Sequence, residues 1–224
     1  MKLLEQFNLD EKQISKFIKY RELLLEWNQK FNLTAITEPN EIVEKHFVDS
    51  LYLLNFVDVG NKTLLDVGTG AGFPGIPLAI ARPSIKVTLL ESNGKKISFL
   101  NEVVKILELD NVKIIQGRVE EFKDREVFDI VTARAVKELN ILLELCFYLV
   151  KVGGVFVAYK SSNVDAEICN AKKAFKELEI VQYNRFEYNL PESKDMRVLL
   201  EIFKKKPTKH RYPREYSKIV KSPL

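Results

Sequence analysis

The sequence predicts an α/β fold on a mostly parallel sheet covered by helices on both faces, and three observations predict it. Short apolar runs rich in Leu, Ile and Val recur between residues 63 and 159. Helix-length segments separate them, and a glycine-rich turn follows the first run. Strands buried on both faces read as continuous apolar runs, and parallel strands need a long crossover, usually a helix.

Taken in order, residues 1–60 read as an N-terminal helical cap. Ile14, Phe17, Ile18, Leu24 and Leu25 recur at helical spacing. A second helix is expected after Thr37-Glu38-Pro39, with Thr37 as its cap and Pro39 in its first turn, because Val43, Phe47, Leu51 and Leu54 repeat every three or four residues. The pattern changes at Asn61. Strands are expected over 63–67, 86–91, 112–116, 128–132 and 155–159, with helices over 76–81, 95–108 and 139–150. Two further strands, 180–188 and 197–203, are separated only by a turn at 191–194, so they form a C-terminal antiparallel strand pair. Residues 61–204 are thus one seven-stranded domain, and 205–224 are a basic C-terminal tail.

Bulk properties fit a globular domain, with 46% hydrophobic and 29% charged residues in 224. No apolar run is long enough to span a membrane, and the first ten residues lack a secretory pattern, so a cytoplasmic location is expected. Cys146 and Cys169 are too few for a disulfide framework and lack the paired spacing of a metal site. No metal is expected, and both cysteines are expected to be buried or half-buried. Between Lys204 and Leu224 there are eight Lys/Arg and one acid, so the rest of the chain sits near −3 against a total of +4. A mildly acidic body with a basic tail points to an anionic partner. A solvated, disordered tail is the alternative.

The sharpest motif is Asp66-Val-Gly68-Thr-Gly70-Ala-Gly72-Phe73-Pro74-Gly75, between a strand and a helix. Glycine there lets the backbone turn tightly and approach a ligand at the carboxyl end of the sheet. Glu91 closes the next strand about twenty residues on, where an acid accepts hydrogen bonds from ribose hydroxyls. A dinucleotide is the obvious competitor. Its fingerprint is GxGxxG, with helix N–H groups aimed at a pyrophosphate. Here the spacing is GxGxG, and Pro74 and Pro77 remove donors at the helix start. A nucleoside cofactor without phosphate, such as S-adenosylmethionine, loses nothing by this. No GK[ST] follows, which excludes a P-loop.

Arg118-Val119-Glu120 follows the third strand, where Val119 and Glu120 are candidates for contact with an adenine, unless Glu120 is only a helix-start acid. Arg134 ends the fourth strand. It is a candidate for the cofactor carboxylate or an RNA phosphate, or it is a plain surface arginine. His46 and Asp49, three apart on a helix, are expected to position RNA or to lock the cap onto the core. Lys209, Arg211, Arg214 and Lys221 in the tail, with Tyr212 and Tyr216 among them, are candidate RNA contacts.

These residues carry a resemblance. Leu25-Glu-Trp27-Asn28-Gln-Lys-Phe-Asn32-Leu33-Thr34, Lys45-His46-Phe-Val-Asp49-Ser50-Leu51, the 66–77 loop, Arg118-Val-Glu120, Thr132-Ala-Arg134-Ala135 and Lys221-Ser-Pro-Leu224 together resemble the bacterial 16S rRNA 7-methylguanosine methyltransferase G family, also called glucose-inhibited division protein B. The likeness runs nearly end to end. Lys45 replaces a usual arginine, Ala71 a common proline and Thr132 a common serine. Arg214-Glu215-Tyr216 stands where an Ala-Gly pair is frequent.

The resemblance implies a Rossmann-like S-adenosylmethionine-dependent methyltransferase fold with a helical cap. It implies cofactor contacts at Gly68, Phe73, Val119, Glu120 and Arg134, and methylation of guanine N7 in the 530 loop of 16S rRNA. The expected partner is 16S rRNA or a small ribosomal subunit particle, and a monomer fits. Guanine N7 carries a lone pair and no proton, so no catalytic acid or base is expected. The Asn/Asp-Pro-Pro-aromatic motif of amine methylation is absent, and both cysteines lie inside expected helices. Competing readings are a methyltransferase for another RNA, a protein or a small molecule, a nicotinamide-dependent oxidoreductase, and a non-catalytic RNA-binding module. If the tail anchors RNA, removing it after Phe203 should flatten the salt dependence of RNA binding; an unchanged slope would reject the tail as anchor.

Overall fold

The computed structural model describes residues 1–224. Helix α1 (Glu11–Lys30) opens on a capping box, in which the Asp10 side chain accepts from the Gln13 N–H and the Gln13 side chain accepts from the Asp10 N–H. Its buried face is Phe17, Tyr20, Leu23 and Leu24. Ile18 is turned outward, because a residue beside Phe17 lies about 100° round the helix.

The second cap helix departs from the expected regular form. It runs as α2 (Pro39–Ile42), a π-helical stretch (Val43–Val48), α3 (Asp49–Leu51) and a 3-10 turn (Tyr52–Asn55). Glu38, not Thr37, holds the cap position, and Pro39 supplies the preset backbone of the first turn.

The body follows as β1 (Thr63–Val67), α4 (Gly75–Ala81), β2 (Lys86–Glu91), α5 (Gly94–Ile106), β3 (Val112–Gln116), β4 (Phe128–Arg134), α6 (Leu139–Cys146) and β5 (Val150–Ser161). Then come α7 (Val164–Asn170), α8 (Lys172–Glu177), β6 (Tyr183–Asn189), β7 (Met196–Phe203) and α9 (Tyr216–Lys221). The seven strands lie in the order β3-β2-β1-β4-β5-β7-β6. The first five are parallel, and β7 runs antiparallel to both β5 and β6. The order reverses between β1 and β4, which opens a crevice at their carboxyl ends.

Several boundaries differ from the sequence expectation: β4 runs on to Arg134, β6 begins at Tyr183 rather than at residue 180, and the largest changes flank β5. The expected helix over 139–150 stops at Cys146, and a 3-10 turn (Phe147–Leu149) leads straight into β5. β5 starts early because Gly153-Gly154 is carried inside the strand at a register shift against β4, rather than ending it. Cys146 is buried as expected, whereas Cys169 is exposed on α7.

The sheet divides the core in two. One face packs α1, the π-helical segment, α4 and α5 through Phe17, Tyr20, Phe47, Ile76 and Phe99. The other packs α6, α7 and α8 with Ile219 and Leu224. The cap is therefore a layer of the sandwich, and residues 205–224 are docked on the body. Arg125 donates to the carbonyls of Thr208 and Tyr212, and Lys204 is fully buried against the Phe147 carbonyl.

Phe47 sits between Phe17, Tyr20 and Phe73 at ring distances of 5.1, 5.2 and 6.1 Å. Phe47→Ala should cost about 3–5 kcal/mol. Urea unfolding followed by circular dichroism measures it, and a loss under about 1 kcal/mol would mean that the cap adds little to the core.

Candidate active site

Two buried acids shape the glycine loop. Asp66, fully buried in β1, accepts from the Thr69 hydroxyl at 2.6 Å and the Gly75 N–H at 2.8 Å. Burial pushes its carboxyl up to about 6 against those two hydrogen bonds. Its Oδ1 has no partner. Glu91 ends β2 and accepts from the N–H groups of Gly70, Ser92 and Asn93 at 3.0, 2.8 and 2.8 Å. The acid expected at the ribose therefore also braces the loop, with part of its accepting capacity left over.

A cavity of about 140 Å³ opens beside this loop, lined by Gly68, Glu91, Arg118, Val119, Glu120 and Leu145 among others. Gly68 has φ +66°, and a Cβ there would come within 3.0 Å of Val136 Cγ2, so bare backbone forms that wall. The lining is apolar at Val119 and Leu145 and carboxylate-bearing at Glu91 and Glu120, which suits a base and a ribose.

Phe73 is placed elsewhere. It is buried behind the loop, stacked on His46 at 4.4 Å and 14°, with the Arg134 guanidinium 5.0 Å from its ring centre. Arg134 leaves the end of β4 and is gripped by the cap. Its Nη1 donates to Asp49 Oδ2 at 3.0 Å and to the Lys45 carbonyl at 3.3 Å, and its Nη2 donates to His46 Nδ1 at 3.2 Å. The π-helical turn makes this possible. The Asp49 N–H bonds the Glu44 and His46 carbonyls, which frees the Lys45 carbonyl that a regular α-helix would occupy.

Arginine only donates, so His46 Nδ1 is the acceptor and Nε2–H donates to Thr34 Oγ1 at 2.8 Å. Thr34 is held in turn by Asn28, whose Oδ1 accepts from the Leu33 and Thr34 N–H groups and whose Nδ2 donates to the Thr34 carbonyl. Tyr188 donates to Asp49 Oδ1 at 2.8 Å. The surface-arginine reading of Arg134 is thus excluded, and Asn28, Thr34, Lys45, His46 and Asp49 from the cap motifs form hydrogen-bonded contacts that end on Arg134.

A larger cleft of about 650 Å³ lies on the cap side of the small cavity, and Val136 and Lys137 wall both. Lys45, Arg134, Lys137, Lys160 and Arg197 line it, against Asp49, Glu138 and Glu167. Lys137, Lys160 and Arg197 escaped the sequence reading. Lys160 lies at the carboxyl end of β5, a position the crevice rule points to. Arg197 is set beside Asp49 by β7, a pairing that no local pattern announces.

The tail residues are mostly engaged. Arg214 forms paired 2.6 Å bonds with the buried Glu144, so the phosphate role expected of it gives way to an internal ion pair. Lys209 pairs with Glu179 and Arg211 with Glu177, both at the surface, while Lys221 makes no ion pair. Removing the tail after Phe203 would also remove core residues Ile219 and Leu224. Point substitutions are the cleaner probe.

Burial, with the Arg134 charge second, pushes His46 from 6.5 down to about 3. A depressed imidazole stabilises the fold fully above pH 6.5, and this contribution declines as pH falls toward 3. On the order of 2 kcal/mol should be lost by pH 5. His46→Gln should remove that pH dependence, measured as urea midpoints between pH 5 and 8; an equal slope in both proteins would refute it. Arg134→Met leaves Asp49 buried without its main counter-charge and should cost about 3–5 kcal/mol in the same assay.

Comparison with known proteins identifies the family and the fold. The family model described as rRNA small subunit methyltransferase G (GidB) matches residues 13–193. Ribosomal RNA small subunit methyltransferase G of Acetivibrio thermocellus is 46% identical over 221 residues, covering 97% of this chain and 91% of that one. The protein of the same name from Lachnoclostridium phytofermentans is 46% identical over 222 residues, covering 97% and 92%. Among solved structures, a SAM-dependent methyltransferase from Aquifex aeolicus has a TM-score of 0.57 at 16% identity, covering 74% of this chain and 94% of that one. A SAM-dependent O-methyltransferase from Thermotoga maritima has a TM-score of 0.57 at 18% identity, covering 81% and 71%. These structures share the fold, and with it the Rossmann-like sheet expected from the sequence. The chain is an S-adenosylmethionine-dependent methyltransferase and belongs to the rRNA small subunit methyltransferase G family.

Proposed function

We propose that the protein methylates N7 of a guanine in 16S rRNA, at guanine 527 of the 530 loop as the family resemblance implies, acting as a cytoplasmic monomer on a small-subunit particle. The observation that carries this reading is the pair of neighbouring cavities at the β1/β4 crevice, which share Val136 and Lys137 as a wall. The smaller suits a nucleoside, and the larger is walled by five basic side chains. No helix is long and apolar enough to cross a membrane.

When bound, S-adenosylmethionine supplies an electrophilic methyl group on a sulfonium. In this reading Gly68, Glu91, Val119 and Glu120 hold the nucleoside. Arg134, fixed by Asp49, His46 and the Lys45 carbonyl, sets the boundary between cofactor cavity and cleft. Lys45, Lys137 and Arg197 draw RNA phosphates into the cleft. N7 has no proton to lose, so the site needs no general base. His46 is held neutral with both nitrogens engaged, and Asp49 is tied to Arg134 and Tyr188. What the residues supply is position, a contribution of up to roughly 7–11 kcal/mol. Glu138, at the cleft wall, suits the positive charge that the methylated base acquires. Because the major groove of A-form RNA is too narrow to admit side chains, the target base lies in a loop or is turned out.

Reverse-transcription mapping of 16S rRNA should show 7-methylguanosine in the 530 loop with the protein and none without it. An unmethylated loop with label elsewhere would overturn the site and leave the cofactor assignment standing. Changing Lys209, Arg211 and Lys221 together to Gln should lower the slope of log affinity against log salt by about 2 if all three meet phosphates. An unchanged slope would place the anchor in the cleft alone.

A further inference from the structure

We propose that Tyr216, the first residue of α9, is a cofactor-binding residue that completes the nucleoside cavity and thereby links the C-terminal segment to cofactor occupancy. The proposal rests on the reading of that cavity as the S-adenosylmethionine site. Tyr216 lines it together with Gly68, Val119 and Leu145. It is half-buried against the same apolar cluster that contains those two residues.

The placement is built rather than incidental. Arg214 is fixed on α6 by its two bonds to the buried Glu144, and its Nη2 also donates to the Ser222 carbonyl at 3.0 Å. Ile219 is fully buried, and the Leu224 carbonyl accepts from Asn140 of α6. Tyr216 and Ile219 are three apart on α9 and share its inward face. Ile219 enters the core, and Tyr216, one turn earlier, reaches the cavity rim. α6 carries both the anchor, Glu144, and a cavity wall, Leu145. An aromatic side chain at this rim offers an apolar face to a purine, and base–aromatic contact is favourable whatever the base.

Linkage makes the effect reciprocal. If Tyr216 favours the cofactor, the cofactor favours the docked segment by the same factor. The segment's surface ion pairs to Glu177 and Glu179 are weak ties, so this coupling reaches the basic residues available to RNA.

Calorimetric titration with S-adenosylhomocysteine and with adenosine tests the proposal. Tyr216→Ala should lose about tenfold in affinity for both ligands, and Tyr216→Phe should stay within twofold of wild type. Arg214→Ala, which frees the segment, should lose a comparable factor. Saturating S-adenosylhomocysteine should slow tryptic cleavage after Lys218 and Lys221 severalfold in wild type and not in Tyr216→Ala. In wild-type protein with labelled tyrosine rings, nuclear Overhauser contacts should join Tyr216 to the adenine protons, a measurement that holds even if the variant folds poorly. Unchanged affinity in Tyr216→Ala, or no contact between ring and adenine, would overturn the proposal while wild-type binding upholds the cofactor site. Wild-type protein that bound neither ligand would overturn both.

Discussion

The structure depends on one largely buried cation at the seam between two layers. Arg134 projects from the end of β4, and its guanidinium is received by a carboxylate, a carbonyl and an imidazole from the cap and by the face of Phe73 from the cofactor loop. A buried guanidinium is costly unless its donors are met, and here two of its nitrogens are met by a single helix in a single register. That requirement fixes the cap's rotation on the sheet. The π-helical turn suits it, since the Asp49 N–H bonds the Glu44 and His46 carbonyls and bypasses that of Lys45.

The same economy orders the rest of the crevice. Tyr20 of α1 donates to the Ala71 carbonyl inside the glycine loop, and Glu44 of the cap accepts from the Glu192 and Ser193 N–H groups between β6 and β7. The cap thus ties together the loop that shapes the small cavity and the hairpin that carries Arg197 to the large one. Asp66 and Glu91 act from below, converting a flexible glycine run into a fixed wall by accepting hydrogen bonds from the Gly70 and Gly75 N–H groups and the Thr69 hydroxyl. A site that works by position needs its walls fixed by groups that themselves cannot move.

The C-terminal segment shows how charge counted along a sequence differs from charge available to a partner. Several of its basic side chains face carboxylates of the body, and the pair with the strongest geometry, Arg214 with Glu144, holds the segment in place. The surplus that remains for an anionic partner is smaller than the local count, and much of the basic lining lies in the cleft, on residues far apart in sequence.

The sequence by itself determined the parallel sheet, the antiparallel closing pair, the glycine loop and its spaced acid, because each is written in local periodicity or in the backbone freedom of glycine. Phe17, Phe47 and Leu24 were legible as core for the same reason, while Ile18 was not, since its exposure depends on which face the sheet occupies. Only the tertiary structure decided what His46, Asp49 and Phe73 do. Their partners come from β4, β7 and the loop, and hydrogen bonds across such separations leave no trace in spacing. It also decided that Gly153-Gly154 continues a strand, that the tail packs, and that Lys137, Lys160 and Arg197 share one cleft with Arg134. Local conformational preferences act over a few residues, whereas burial and charge pairing act between whichever groups the completed fold brings together.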